Sequence, residues 1–312
     1  QMSTLTLNAE AAHLIPGTPR AISKEGISYV DDFEGSQSTI DLKNFTSWKL
    51  ASIPQGQTNL FPEAELKNNL AAGFNRSHLS WYIIDYSTFH MNSATTPKHI
   101  AEDPSSTENM NVAYVNRQDL FPNNDPAIGD ITNLPTLDLT YYPRERGMYN
   151  YDTTNTVDAN GYFINPQDRW AGIMRSLSTT DFEMNNIEYI QFWVLDPFNS
   201  DQDTNNTHTG GDLYFNLGNL SEDILPDSRK SFDNGLPKDF SNTQNTDQTN
   251  WARVSTQQVV VNAFDNDPET RAAQDVGLDG YDDRRERENY PEYVQWVTNH
   301  PTLSQAAKNR IL

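Results

Sequence analysis

The sequence predicts a mainly β protein, an antiparallel β-sandwich of jelly-roll type with loop-rich insertions and a short helical C-terminal tail. Three observations lead there. Short runs rich in aromatic and β-branched residues recur between turns marked by proline and glycine. The 312 residues include 14 Tyr, 14 Phe and 6 Trp, rings large enough to build a core although hydrophobic residues make up only 36% of the chain. After residue 264 the pattern changes to helix caps and helical spacing.

Residues 1–25 read as an extended lead-in broken by Pro16-Gly17 and Pro19. The sandwich is expected over residues 26–264, with an insertion at about 60–140. Its first strand is Ile27-Ser28-Tyr29-Val30, followed by 40–42 and Trp48-Lys49-Leu50-Ala51. Phe61-Pro62-Glu63-Ala64-Glu65-Leu66 suits a short helix, because proline is tolerated in a first turn. Ser80-Trp81-Tyr82-Ile83-Ile84-Asp85 reads as a buried strand, and 136–142 as another, ended by Pro143. Residues 170–177 form a further candidate strand. The stretch 187–195 is apolar on both faces, as a central strand would be. Residues 212–217 alternate, with Leu213, Phe215 and Leu217 on one face. Strands at 251–254 and 258–261 close the β region. Residues 265–312 form an acidic loop and helical tail leading to a next segment. There Asp267-Pro268-Glu269 is a helix start, and helices are expected over 290–300 and 302–312.

Composition excludes several function classes. The net charge is −21, from 43 acidic and 22 basic residues, a field that repels phosphate backbones and anionic lipid, so no nucleic-acid partner is expected. With no cysteine there are no disulfides, thiolate metal sites or thiol nucleophiles. No apolar run approaches the roughly 18 residues of a membrane helix. Nor is a signal peptide visible: Gln1-Met2-Ser3 runs into a polar stretch, which reads as an internal boundary rather than a natural terminus. The histidines, at 13, 78, 90, 99, 208 and 300, have no metal-ligand spacing. There is no Gly-x-Ser-x-Gly elbow and no phosphate-cradling glycine loop. The expectation is a protein that is not an enzyme, with no catalytic residue to name.

Two acidic loops predict a structural calcium ion. Asp31-Asp32-Phe33-Glu34-Gly35, followed by Trp48, resembles the opening of galactose-binding-like and carbohydrate-binding-module jelly rolls, where such acids help hold calcium. Asp32 and Glu34 are the candidate ligands; otherwise the loop is an acidic turn anchored by Phe33. In Asp275-Val276-Gly277-Leu278-Asp279-Gly280-Tyr281-Asp282-Asp283, the candidates are Asp275, Asp279 and Asp283, and the glycines permit a tight wrap. This loop is shorter than an EF-hand and lacks its bidentate glutamate; otherwise it is an acidic linker turn. The segment Tyr141-Tyr142-Pro143-Arg144-Glu145-Arg146-Gly147-Met148-Tyr149-Asn150-Tyr151 suits either packing over a sheet edge or a ring-stacking recognition loop.

A series of motifs then occurs in order: Tyr29-Val30-Asp31-Asp32-Phe33-Glu34-Gly35, Trp81-Tyr82-Ile83-Ile84-Asp85, Tyr142-Pro143-Arg144-Glu145-Arg146-Gly147 and Trp170-Ala171-Gly172-Ile173-Met174-Arg175. It continues through Thr180-Asp181-Phe182-Glu183, Asn186-Ile187-Glu188-Tyr189-Ile190-Gln191-Phe192-Trp193 and Gly211-Asp212-Leu213-Tyr214-Phe215-Asn216-Leu217-Gly218. Ser221-Glu222-Asp223-Ile224-Leu225 and Asp275-Val276-Gly277-Leu278-Asp279-Gly280 complete it. The series resembles the SprA/Sov family of gliding-motility and protein-secretion proteins of Bacteroidetes-type bacteria, over about residues 27–283. Met148 departs from the pattern, which leads one to expect proline after Arg-Gly.

The resemblance implies a segment of the outer-membrane channel of the type IX secretion system, structural or gating rather than catalytic. It implies a parent protein in the outer membrane and at the cell surface, with this segment extracellular or lumenal. The implied partners are a porin-like shuttle, a plug protein and exported cargo. The alternative is a cell-surface carbohydrate-binding module using Trp81, Tyr141 or Trp251. A glycoside hydrolase would need two carboxylates facing each other across a groove.

Overall fold

A computed structural model describes residues 40–85, 94–103, 110–112, 114–123, 132–154, 157–179, 181–185, 187–197, 210–231, 245–256 and 264–312, together with residues 89, 105, 129 and 236. The strand expected at 27–30, that at 258–261 and the loop carrying Asp32 and Glu34 lie outside these residues.

Strands pair in twos, across both short and long stretches of chain. β1 (Lys49–Leu50) lies antiparallel to β4 (Ile173–Met174), β2 (Ser77–Tyr82) to β3 (Asp138–Arg146), and β5 (Thr246–Gln248) to β6 (Arg253–Ser255). Among the described residues no sheet exceeds two strands, which overturns the β-sandwich expectation. The runs that most favoured a sandwich, 187–195 and 212–217, are in no sheet, and Val194 and Leu213 are 71% and 68% exposed. Alternation and β-propensity report a chain suited to a pleated surface; they do not report whether a partner strand is within reach.

The β2–β3 ribbon is the longest, and its register explains how the chain passes Pro143. Leu79 faces Tyr141 and Trp81 faces Leu139, but between His78↔Tyr142 and Ser77↔Arg146 the register shifts. Pro143 falls within that bulge, where the ladder asks for no N–H, so the proline does not end the strand as expected. Its carbonyl accepts a hydrogen bond from Ser77 Oγ at 2.9 Å. Gly147 follows because a Cβ there would collide with the Ser77 carbonyl.

Short helices are set by caps. α1 (Lys98–Ala101) begins after Pro97, and α2 (Arg117–Leu120) carries a capping box between Asn116 and Asp119. Pro62–Glu65 forms a 3-10 turn, with the proline at its first position. In the C-terminal part, α3 (Pro268–Gln274) is capped by Asp267, α4 (Asp283–Asn289) by Asp282 and α6 (Gln305–Ile311) by Ser304. α5 (Pro291–Asn299) starts on a proline. α3, α5 and α6 fall where the sequence signals a helix, whereas α4 follows the acidic loop directly and is not among the helices the sequence predicts.

By its contacts the chain divides into two units, Gln1–Asp41 with Leu177–Val194, and Leu42–Ser176 with Leu195–Leu312. In the first, Asp181 caps the Met184 N–H at 2.9 Å to make a turn before the extended stretch. In the second, the core is aromatic: Trp251, Tyr151, Tyr281, Tyr290 and Phe61 pack with Ile53, Leu225, Ala252 and Val254. A smaller cluster, Val297, Leu303 and Ala307, closes α5 against α6, with Tyr293 and Trp296 beside it.

Candidate functional site

The predicted cation loop joins α3 to α4, and it does not gather its three aspartates. Asp275 and Asp283 are exposed, whereas Asp279 is only 4% exposed. The glycines do make the wrap, at φ +73° for Gly277 and +70° for Gly280. Gly280 also lies so close to the Arg253 carbonyl that no Cβ would fit. That approach turns Asp279 toward the core, and its carbonyl accepts from the Arg253 N–H at 2.8 Å. All three aspartates edge one open cleft of about 550 Å³, yet among the described residues no group of three potential metal ligands converges. Asp32 and Glu34 lie outside the described residues.

What converges instead is a tyrosine–carboxylate cluster. The Tyr151 hydroxyl donates to Glu286 Oε1 at 2.7 Å and lies 3.4 Å from Asp279 Oδ2. The Tyr281 N–H donates to Asp279 Oδ1 at 3.2 Å. Tyr151 stacks on Tyr290, with centroids 3.8 Å apart, and the Tyr290 hydroxyl donates to the Trp251 carbonyl. Tyr149 accepts the Leu278 N–H at 2.8 Å, anchoring the loop on its other side. Burial, reinforced by the nearby Glu286 charge, pushes the Asp279 carboxyl up to about 7. Burial also raises Tyr151 and Tyr290 well above the ordinary phenol range.

Chemically, a carboxyl protonated near neutrality beside another carboxylate has the raw properties of an acid–base pair. The geometry argues for another role. The phenol oxygen of Tyr151 occupies the space between the two carboxyl groups, where a scissile bond would have to lie.

Under the β2–β3 bulge lies a second buried polar group. Arg146 stacks against Tyr293, Trp296 and Phe163 at 4.9, 5.3 and 5.5 Å, and Arg169 covers Phe163 at 4.0 Å. Arg169 pairs with Asp152 at 3.9 Å, both side chains being almost fully buried. Arg76 covers Trp170 at 4.8 Å, and Trp170 Nε1 donates to Glu63 Oε1 at 2.8 Å. Burial lowers Arg76 to about 10. Of the arginines in the 141–151 segment, Arg146 is thus a packing residue, while Arg144 forms a 2.8 Å ion pair with Asp158.

The aromatic candidates separate clearly. Trp251 is 1% exposed and cannot meet a glycan. Trp81 and Tyr141 share one face of the β2–β3 ribbon, diagonally placed, with Leu79 and Leu139 completing that face. Tyr151 and Glu286 carry no sequence signal, since the partners lie 135 residues apart. Compared with protein-family models and with curated proteins, the chain matches none.

Proposed function

We propose that the chain is a non-catalytic structural and gating segment of a type IX outer-membrane protein-translocation channel. The observation that carries this reading is the ordered series of nine motifs between Tyr29 and Gly280. Two features support it. Extended apolar stretches such as 189–195 and 213–217 remain largely exposed, as expected of segments that find cover against a larger β body. Arg76, Arg146 and Arg169 and the carboxylates of Glu63, Asp152 and Asp279 are bound into packing, consistent with an architectural role. Under this reading the porin-like shuttle, the plug protein and exported cargo are its neighbours, and the acidic surface keeps it from anionic lipid.

In-frame removal of residues 27–283 from the parent channel tests the proposal. Secreted cargo should accumulate in the periplasm, or the outer membrane should become permeable to antibiotics it normally excludes. Normal export with normal sealing would overturn the assignment.

A second reading has one specific observation in its favour, the shared face of Trp81 and Tyr141. A surface carbohydrate-binding module would engage the flat faces of a neutral oligosaccharide through those rings. On a glycan array the chain should then bind saturably, and Trp81→Ala or Tyr141→Ala should weaken binding at least tenfold, about 1.4 kcal/mol. No binding on the array, or binding unaffected by both substitutions, removes that reading.

A further inference from the structure

We draw no further inference here: the strongest candidate, the extended apolar stretch 213–217, where Leu213 and Leu217 are 68% and 58% exposed, carries no proposal of its own because nothing in the structure shows what covers it.

Discussion

Asp152→Ala should destabilise the chain by about 3–5 kcal/mol, because it leaves the Arg169 guanidinium charged and buried without its carboxylate. The two side chains are 4% and 3% exposed, so water cannot take over the lost interaction. Asp152 also accepts the Thr154 N–H at 2.8 Å and the Thr154 hydroxyl at 2.6 Å, and both bonds disappear with it. Arg169 retains its bond to the Phe74 carbonyl at 2.6 Å and its place over Phe163. Urea unfolding should show the midpoint falling with the slope unchanged. Replacing Arg169 by Met in the same chain should recover part of the loss, since an apolar pair of similar volume removes the orphan charge. A loss below about 1 kcal/mol, the range of an exposed ion pair, would show that the pair is solvated.

The buried arginines explain why charge was a poor guide to the interior. A chain with twice as many acidic as basic residues reads as an acidic surface around an aromatic core. Yet Arg76, Arg146 and Arg169 lie among the rings of Trp170, Tyr293, Trp296 and Phe163. Guanidinium is flat, weakly hydrated and suited to such stacking, so a few cations can be placed inside without lysine's cost of dehydration.

The local signals were legible where local chemistry decides the outcome. Asp267 followed by Pro268 starts a helix, and Pro291 starts another, because the capping oxygen and the fixed proline φ act within one turn. The strand at 138–146 was legible in part; its continuation past Pro143 depends on a bulge that only the partner strand defines. The sandwich was not decided locally. Residues 187–195 have the composition of a central strand, but strand pairing is a property of two segments, and one segment cannot announce its partner.

The acidic loop makes the same point for the site. Asp275, Asp279 and Asp283 are evenly spaced and indistinguishable as a string, and as a string they point to a shared cation. What separates them is the close passage of Gly280 over the Arg253 carbonyl, which sends one aspartate inward and leaves the others in water. Its partners, Tyr151 and Glu286, come from distant positions and match no motif spacing.

Trp251→Ala should cost about 3–5 kcal/mol, the range for truncating a large buried aromatic side chain. The ring is 1% exposed and sits at the centre of the larger core cluster. Its edge is seated on Gly73, where even an added Cβ would press against the indole, so the surrounding chain is already fitted to the ring and has little room to collapse into the space it leaves. The indole Nε1 meets no hydrogen-bond partner among the described residues, so Trp251→Phe should lose packing without orphaning a polar group and should cost clearly less than alanine. The Tyr290 hydroxyl donates to the Trp251 backbone carbonyl, a bond that survives either substitution. The expected damage is therefore to the core packing and not to that hydrogen bond. Thermal unfolding of both variants beside Asp279→Asn distinguishes these effects: the tryptophan variants should lower stability equally at pH 6 and pH 8, whereas the aspartate variant should change its dependence on pH. If Trp251→Ala matched the wild type, the ring would not be packed as described and the aromatic core would not be what holds this chain together.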